Sequence, residues 1–227
     1  MASPEPTQEK RRPPRTSQEH VVEWLRDAVT SRRLQPGQRV GQEEIAEQVG
    51  VSIVPVREAL RVLEQEGQLT YRPRRGHFVT ELRVEDLEEI YGLREIMEER
   101  AVRYTLSEVG TDVKDRLVAA AEECRLAAEA RDVFNELRAN REFHFSLMDA
   151  PGRPHTLRII QKLWDQTEAY RALYYNVSAE NEVTVAAHDR IVAATLEGDM
   201  DLLIFELNRH RNRALEVLRG ILIAESE

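Results

Sequence analysis

The sequence holds one cysteine, Cys124, among its 227 residues. A single thiol excludes an internal disulfide framework and fits a reducing compartment. No apolar run approaches the roughly 18–20 residues that a membrane span needs, so no membrane partner is expected. The N-terminal stretch MASPEPTQEKRRPPR lacks the apolar segment of a secretion signal. Its prolines and charges predict a disordered tail over residues 1–16, and the chain is expected to be cytoplasmic. Also missing are a glycine-rich phosphate loop, a Gly-x-Ser-x-Gly elbow and a Cys-x-x-Cys pair. These absences remove the usual sequence grounds for nucleotide chemistry, serine hydrolysis or thiol redox.

Charge is present in quantity but unevenly placed. The net charge is −9, yet residues 10–83 carry 14 Lys/Arg against 10 Asp/Glu, while residues 84–227 carry 18 against 29. A basic N-terminal part followed by an acidic C-terminal part reads as two domains with different partners. Chance variation along a chain can produce the same split, so the motifs must decide.

From Ser17 to Arg33, apolar residues at Val21, Val22, Trp24, Leu25, Ala28 and Val29 keep a helical rhythm. Leu34-Gln35-Pro36-Gly37 ends it, because proline cannot continue the helix and glycine permits the turn. Gln42 to Val49 predicts a short helix closed by Gly50 in a left-handed backbone. Ser52 then suits the N-cap of a helix running to about Glu66, its hydroxyl accepting a free backbone N–H, with Val51 and Val56 at the flanking staple positions. Pro55 falls in the first turn, where no intrahelical N–H is lost. Two helices joined so tightly form a helix-turn-helix unit. Residues 68–72 and 77–80 then predict strands around the basic tip Pro73-Arg74-Arg75-Gly76. The whole reads as a winged helix-turn-helix over residues 17–80, with three helices and a β-hairpin wing.

The second helix of the unit sorts its residues by face. Val56, Ala59, Leu60 and Leu63 fall on the inward side, whereas Ile53, Arg57 and Arg61 step by four along the other, with Val54 beside them. Arg57 can fork onto a phosphate or a guanine edge, and Ser52 can hold a phosphate oxygen. Arg74, Arg75 and the slim Gly76 would let the wing approach a groove. The plainer reading makes these ordinary solvated arginines. Cap, turn and wing in this order favour double-stranded DNA as partner.

After a linker at residues 81–84, residues 85–222 read as six helices in an antiparallel bundle, with breaks at Gly110, near residues 151–154, around residues 176–181 and at Gly198-Asp199. His188 precedes the Gly198 turn by 10 residues and His210 follows it by 12. At 1.5 Å per residue both lie ~15–18 Å from the turn, at nearly one height on antiparallel neighbours. Asn140 and His144, at i and i+4, share a face of another helix. Three imidazoles and an amide oxygen would suit a divalent metal such as zinc or nickel. A lone histidine is more often a satisfied polar residue than a ligand, and spacing alone leaves that reading open.

Several of these stretches are similar to a known family. Leu34-Gln35-Pro36-Gly37, Glu44-Ile45-Ala46-Glu47, Gly50-Val51-Ser52, Pro55-Val56-Arg57-Glu58-Ala59-Leu60, Leu63-Glu64 and Glu66-Gly67 resemble the DNA-binding domain of GntR-family bacterial transcription regulators, over roughly residues 18–80. The chain departs at Glu43 and Ile53, where family members usually carry arginines that touch DNA. Residues 85–222 resemble the FCD effector domain of the FadR-type subgroup, through Leu93-Arg94 with Glu98, Asn140 with Phe143-His144, His188, Gly198-Asp199 and His210. The resemblance implies a metal held by Asn140, His144, His188 and His210, with a small organic acid beside it.

Arg94 is then expected to face the acid, or else to form a surface salt bridge with Glu98. Arg141, Tyr170 and Tyr174 are further candidate lining residues. The resemblance also implies a homodimer on a palindromic operator and a repressor rather than an enzyme. Two rivals stay open. One keeps the DNA-binding role with a fatty acyl-CoA effector and no metal. The other is a metal-dependent hydrolase or lyase, for which no general base stands out.

Overall fold

A computed structural model describes residues 16–81, 83–107, 111–149 and 152–226. The tail read over residues 1–16 lies outside these, except for Thr16, as does the break expected at Gly110. Helix α1 (Ser17–Thr30) starts at a capping box, in which the Thr16 hydroxyl accepts from the Glu19 N–H and the Glu19 carboxylate accepts from the Thr16 N–H. Helices α2 (Gln42–Val49) and α3 (Ile53–Gln65) follow, joined through Gly50 in the left-handed region at φ 73°. Their inward faces, with Val21, Leu25, Ile45, Val56, Leu60 and Leu63, form one core. Each such buried aliphatic side chain contributes ~1.5–3 kcal/mol.

Two details differ from the expectation. Ser52 occupies the N-cap of α3 with an extended backbone, but its hydroxyl makes no capping bond. It stays exposed, pointing a polar group outward rather than back into the helix. The wing strands β2 (Leu69–Arg72) and β3 (Gly76–Val79) pair antiparallel, and a two-residue strand, β1 (Arg39–Val40), joins β3 on its far edge. Two residues are too few to leave a period-2 signature in the sequence.

Among the described residues the second part holds seven helices, not six: α4 (Val84–Ser107), α5 (Thr111–Ala130), α6 (Val133–Met148), α7 (Pro154–Gln166), α8 (Glu168–Tyr175), α9 (Ser178–Glu197) and α10 (Met200–Ser226). The breaks that the sequence reading missed carry neither glycine nor proline. At the first, Arg131 takes a left-handed φ of 53° and Asp132 caps α6 by accepting from the Asn135 N–H. At the second, Thr167 alone separates α7 from α8. Helix α5 packs on α6 and α9, α4 on α7 and α10, and α1 of the winged helix touches α8. No helix among the described residues is long and apolar enough to cross a membrane.

Candidate functional site

Helix α3 and the wing tip present polar residues outward. Ser52, Arg57, Arg61, Arg74 and Arg75 are exposed, and none of them forms an ion pair within the described residues. Ile53 and Val54 stand beside them, 43% and 53% exposed. Leaving two apolar side chains in water at a helix tip gives no folding benefit, whereas both could pack on a thymine methyl. At the wing, Arg74 holds a left-handed φ of 62° and Gly76 one of 92°. The turn is closed by the Arg75 N–H donating to the Arg72 carbonyl at 2.9 Å. The Arg39 Nε also donates to the Arg75 carbonyl at 3.0 Å, tying β1 to the wing tip. Arg72 and Arg75 both lie over the Phe78 ring, which keeps their guanidiniums on the wing surface.

The bundle does the reverse and buries its polar residues. His144 from α6, His188 from α9 and His210 from α10 converge, with one ligand atom of each within 4.8 Å of the others. The His144 and His210 rings stack at 5.2 Å, and His188 stacks on Phe143 at 4.1 Å. Phe143, fully buried, serves as the apolar shelf that orients His188. Burial pushes His144 and His188 well below the ordinary histidine range, helped at His144 by the other two histidines and by Arg94 and Arg211 and at His188 by His210, and burial with Arg211 and Arg94 brings His210 down to about 4. All three are therefore neutral near pH 7, the state in which imidazole nitrogens accept a metal.

Both ring nitrogens of His188 and the Oδ1 of Asn140 are buried with no hydrogen-bond partner. Such orphaned groups cost ~1–3 kcal/mol each unless something binds them. Asn140 lines the small spaces on both sides of the histidines, reaching His144 and His210 on one and His188 on the other. This donor set fits a divalent borderline metal.

Beside the histidines lies a cavity of about 30 Å³. Arg94 does pair with Glu98 at i+4, but the pair is buried rather than on the surface. Glu98 Oε1 accepts from Arg94 Nε and from Trp164 Nε1, both at 2.7 Å, and Oε2 accepts from Arg211 Nη2 at 2.8 Å. Burial alone would raise this carboxyl, but the two guanidiniums outweigh it and hold it at about 2. The Arg94 guanidinium sits 4.7 Å from the Tyr91 ring and 4.2 Å from that of Trp164.

Arg171 faces the same cavity with no carboxylate partner. Burial, reinforced by the charge of Arg94, pulls it down to about 10. Arg94 and Arg211 thus share one carboxylate and Arg171 has none, which leaves an excess of positive charge in a desolvated space. Buried charge without a counterion is costly, so an anion is the natural complement.

Of the other expected lining residues, Tyr174 meets the cavity while Arg141 and Tyr170 do not. Arg141 is drawn away to Asp165 at 2.9 Å and over Phe145, on the side facing the winged helix. Tyr174 lines the cavity with its ring, but its hydroxyl is committed to Thr184 at 2.8 Å and Glu180 at 3.3 Å. Tyr170 holds the linker instead: its hydroxyl accepts from the Arg83 N–H and donates to the Arg83 carbonyl. Sequence reasoning missed Trp164, Arg171 and Arg211. Arg211 follows His210 directly and is the one with a local signal.

A family model described as "Bacterial regulatory proteins, gntR family" matches residues 17–79, and the FCD domain model matches residues 89–213. Over 199 residues the chain is 28% identical to the HTH-type transcriptional regulator YdhC of Bacillus subtilis, spanning 87% of this chain and 89% of that one. Over 155 residues it is 29% identical to the HTH-type transcriptional regulator McbR of Escherichia coli, spanning 68% and 69%. The solved structure of E. coli McbR/YncC is similar with a TM-score of 0.78, at 24% identity over 92% of this chain and 100% of that one. A GntR regulator from Rhodococcus gives 0.75 at 20% identity over 89% and 97%, a likeness of fold. A winged helix with unpaired arginines, a helical bundle behind it, and a domain model spanning more than half of the residues place the chain in the GntR family of bacterial regulatory proteins, as a DNA-binding transcription regulator with an FCD domain.

Proposed function

We propose that the chain is a homodimeric repressor whose bundle senses a small carboxylate anion held beside a divalent metal. One observation carries this reading: three neutral histidines, with both His188 nitrogens and the Asn140 oxygen orphaned, stand next to three buried guanidiniums that have a single carboxylate among them. Asn140, His144, His188 and His210 would hold the ion, which supplies a Lewis-acidic site for an anionic oxygen. Arg94 positions the acid by charge, with its unpartnered Nη1 as donor. Glu98 keeps Arg94 and Arg211 oriented.

On DNA, Ser52, Ile53, Val54, Arg57 and Arg61 of each protomer read one half-site, while Arg74, Arg75 and Gly76 approach the flanking groove. An effector that prefers one dimer geometry would change the spacing of the two winged helices and hence operator affinity.

Metal analysis of purified protein, paired with thermal unfolding in chelator, tests the centre of this reading. Bound zinc or nickel near one per chain, with a melting temperature that falls on chelation, is the expected result. Metal-free protein with a chelator-insensitive melt would refute it and favour the same DNA-binding role with a metal-free effector site.

A further inference from the structure

The break between α7 and α8 has one side in the cavity and the other against the winged helix. Thr167, fully buried, takes φ −103° and ψ 8° and interrupts the helical ladder. Its N–H donates to the Trp164 carbonyl at 3.1 Å, a tightened turn in place of the regular helical bond. The same carbonyl accepts from Arg171 Nη1 at 3.0 Å, and that nitrogen also donates to the Thr167 hydroxyl at 2.7 Å. A guanidinium facing the cavity therefore holds the break in shape. Its Nε is buried with no partner, and its plane lies 4.4 Å from the Trp164 ring.

The residues between Trp164 and Arg171 point the other way. Asp165 and Glu168 line a crevice with Arg26 and Glu66, where Arg26 and Glu66 form an ion pair and Glu66 caps the end of α3. Gln166 lies against Gly67, so closely that a Cβ there would stand 2.7 Å from Gln166 Cγ. Ala169 packs on the winged-helix core, and Tyr170 holds both the N–H and the carbonyl of Arg83. The eight residues from Trp164 to Arg171 thus meet the cavity with their ends and grip the winged helix with their middle.

We propose that Arg171 is an anion-binding residue of the cavity, and that the Thr167 break it holds passes occupancy to the winged helix. An anion carboxylate engaging Arg171 competes with the Trp164 carbonyl and the Thr167 hydroxyl for the same guanidinium. Loss of those bonds frees the break to change its angle. The shift is delivered at Gln166 and Glu168 to Gly67 and to the Arg26–Glu66 pair at the end of α3. This inference rests on the carboxylate-sensing reading above.

The test uses the full-length protein, malonate as probe, and a DNA duplex selected by the protein from a random pool. Calorimetry gives malonate affinity, and gel-shift titration with and without saturating malonate gives the coupling. For the wild-type protein we expect saturable malonate binding and a change in DNA affinity of about fivefold or more. Arg171→Lys, which keeps the charge but loses the fork, should weaken malonate binding about tenfold. Thr167→Val, close in shape, should bind malonate within about threefold of wild type yet lose most of the coupling.

Arg171→Lys binding malonate like wild type would overturn the anion-binding role, and Thr167→Val with full coupling would overturn the relay. Wild-type binding with no effect on DNA affinity would also refute the relay while leaving the sensing site standing. Absence of any malonate binding to the wild-type protein would instead refute the carboxylate-sensing reading itself, and the inference with it.

Discussion

The recognition surface and the cavity use the same residue type to opposite ends. Arg57, Arg61 and Arg74 stand in water with no ion-pair partner among the described residues, while Arg94, Arg171 and Arg211 are buried and held from several sides. In the first case the charge is hydrated until DNA replaces the water, so affinity is salt-dependent and folding is indifferent. In the second the hydration is already lost on folding, so each guanidinium must be compensated by Glu98, an aromatic face, a carbonyl or a ligand. Substitutions will therefore be felt as binding on one surface and as stability on the other.

The largest expected effect tests the buried half. Glu98→Ala leaves Arg94 and Arg211 without their shared carboxylate and should cost about 3–5 kcal/mol in urea unfolding. A loss below about 1 kcal/mol, the level of an exposed pair, would erase the contrast. Next comes Arg57→Ala, which should weaken DNA binding by about 1–3 kcal/mol in gel shifts at fixed salt and leave unfolding unchanged. An equal loss of stability would mean that the exposed arginine belongs to the fold after all.

A third prediction uses pH. Burial, with some help from Asp132, raises the Glu136 carboxyl to about 7, and its Oε2 has no partner. The folded state therefore keeps a proton that the unfolded chain releases near pH 4.5. The stability linked to that proton is fully present below about 4.5 and is lost as pH rises through about 7. Glu136→Gln should match wild type near about pH 4.5 and melt ~2–4 °C higher near about pH 8, the shift that 1 kcal/mol gives in a chain of this size. A gain of the same size at both pH values would point to packing rather than charge.

The smallest effect sharpens the exposed half. Ile53→Arg should steepen the slope of log affinity against log salt by about 0.9, one added phosphate neutralised. An unchanged slope would place residue 53 away from the backbone of the duplex.

How much could be read beforehand follows from what kind of signal each part leaves. Gly50, Gly67 and Gly198 all sit in left-handed backbone, and the helix ends they mark were legible because glycine is the residue that tolerates it. The break at Arg131 has the same geometry in a residue that does not announce it, and Thr167 is held by Arg171 across a turn. Counting residues from Gly198 predicted that His188 and His210 share a height, and their rings lie 5.0 Å apart. That arithmetic works because a helical hairpin has a fixed rise. Trp164 and Arg171 were illegible because their place depends on how α7 and α8 are angled, which no local pattern encodes. Arg141, adjacent to Asn140, shows the converse error: nearness in sequence put it on the wrong face of α6.

The chain has two tryptophans, and each belongs to one of the two regions compared above. Trp164 is completely sealed, with guanidiniums of Arg94 and Arg171 over its ring and Glu98 on its indole nitrogen. Trp24 is partly exposed on α1, with Arg33 5.0 Å away. Indole emission follows local polarity and the field of nearby charges, so the two should differ in colour and in access to a soluble quencher. Replacing either one with phenylalanine would leave a single fluorophore reporting on the cavity or on the winged helix alone. The protein therefore carries its own optical readout for each half, with no label added.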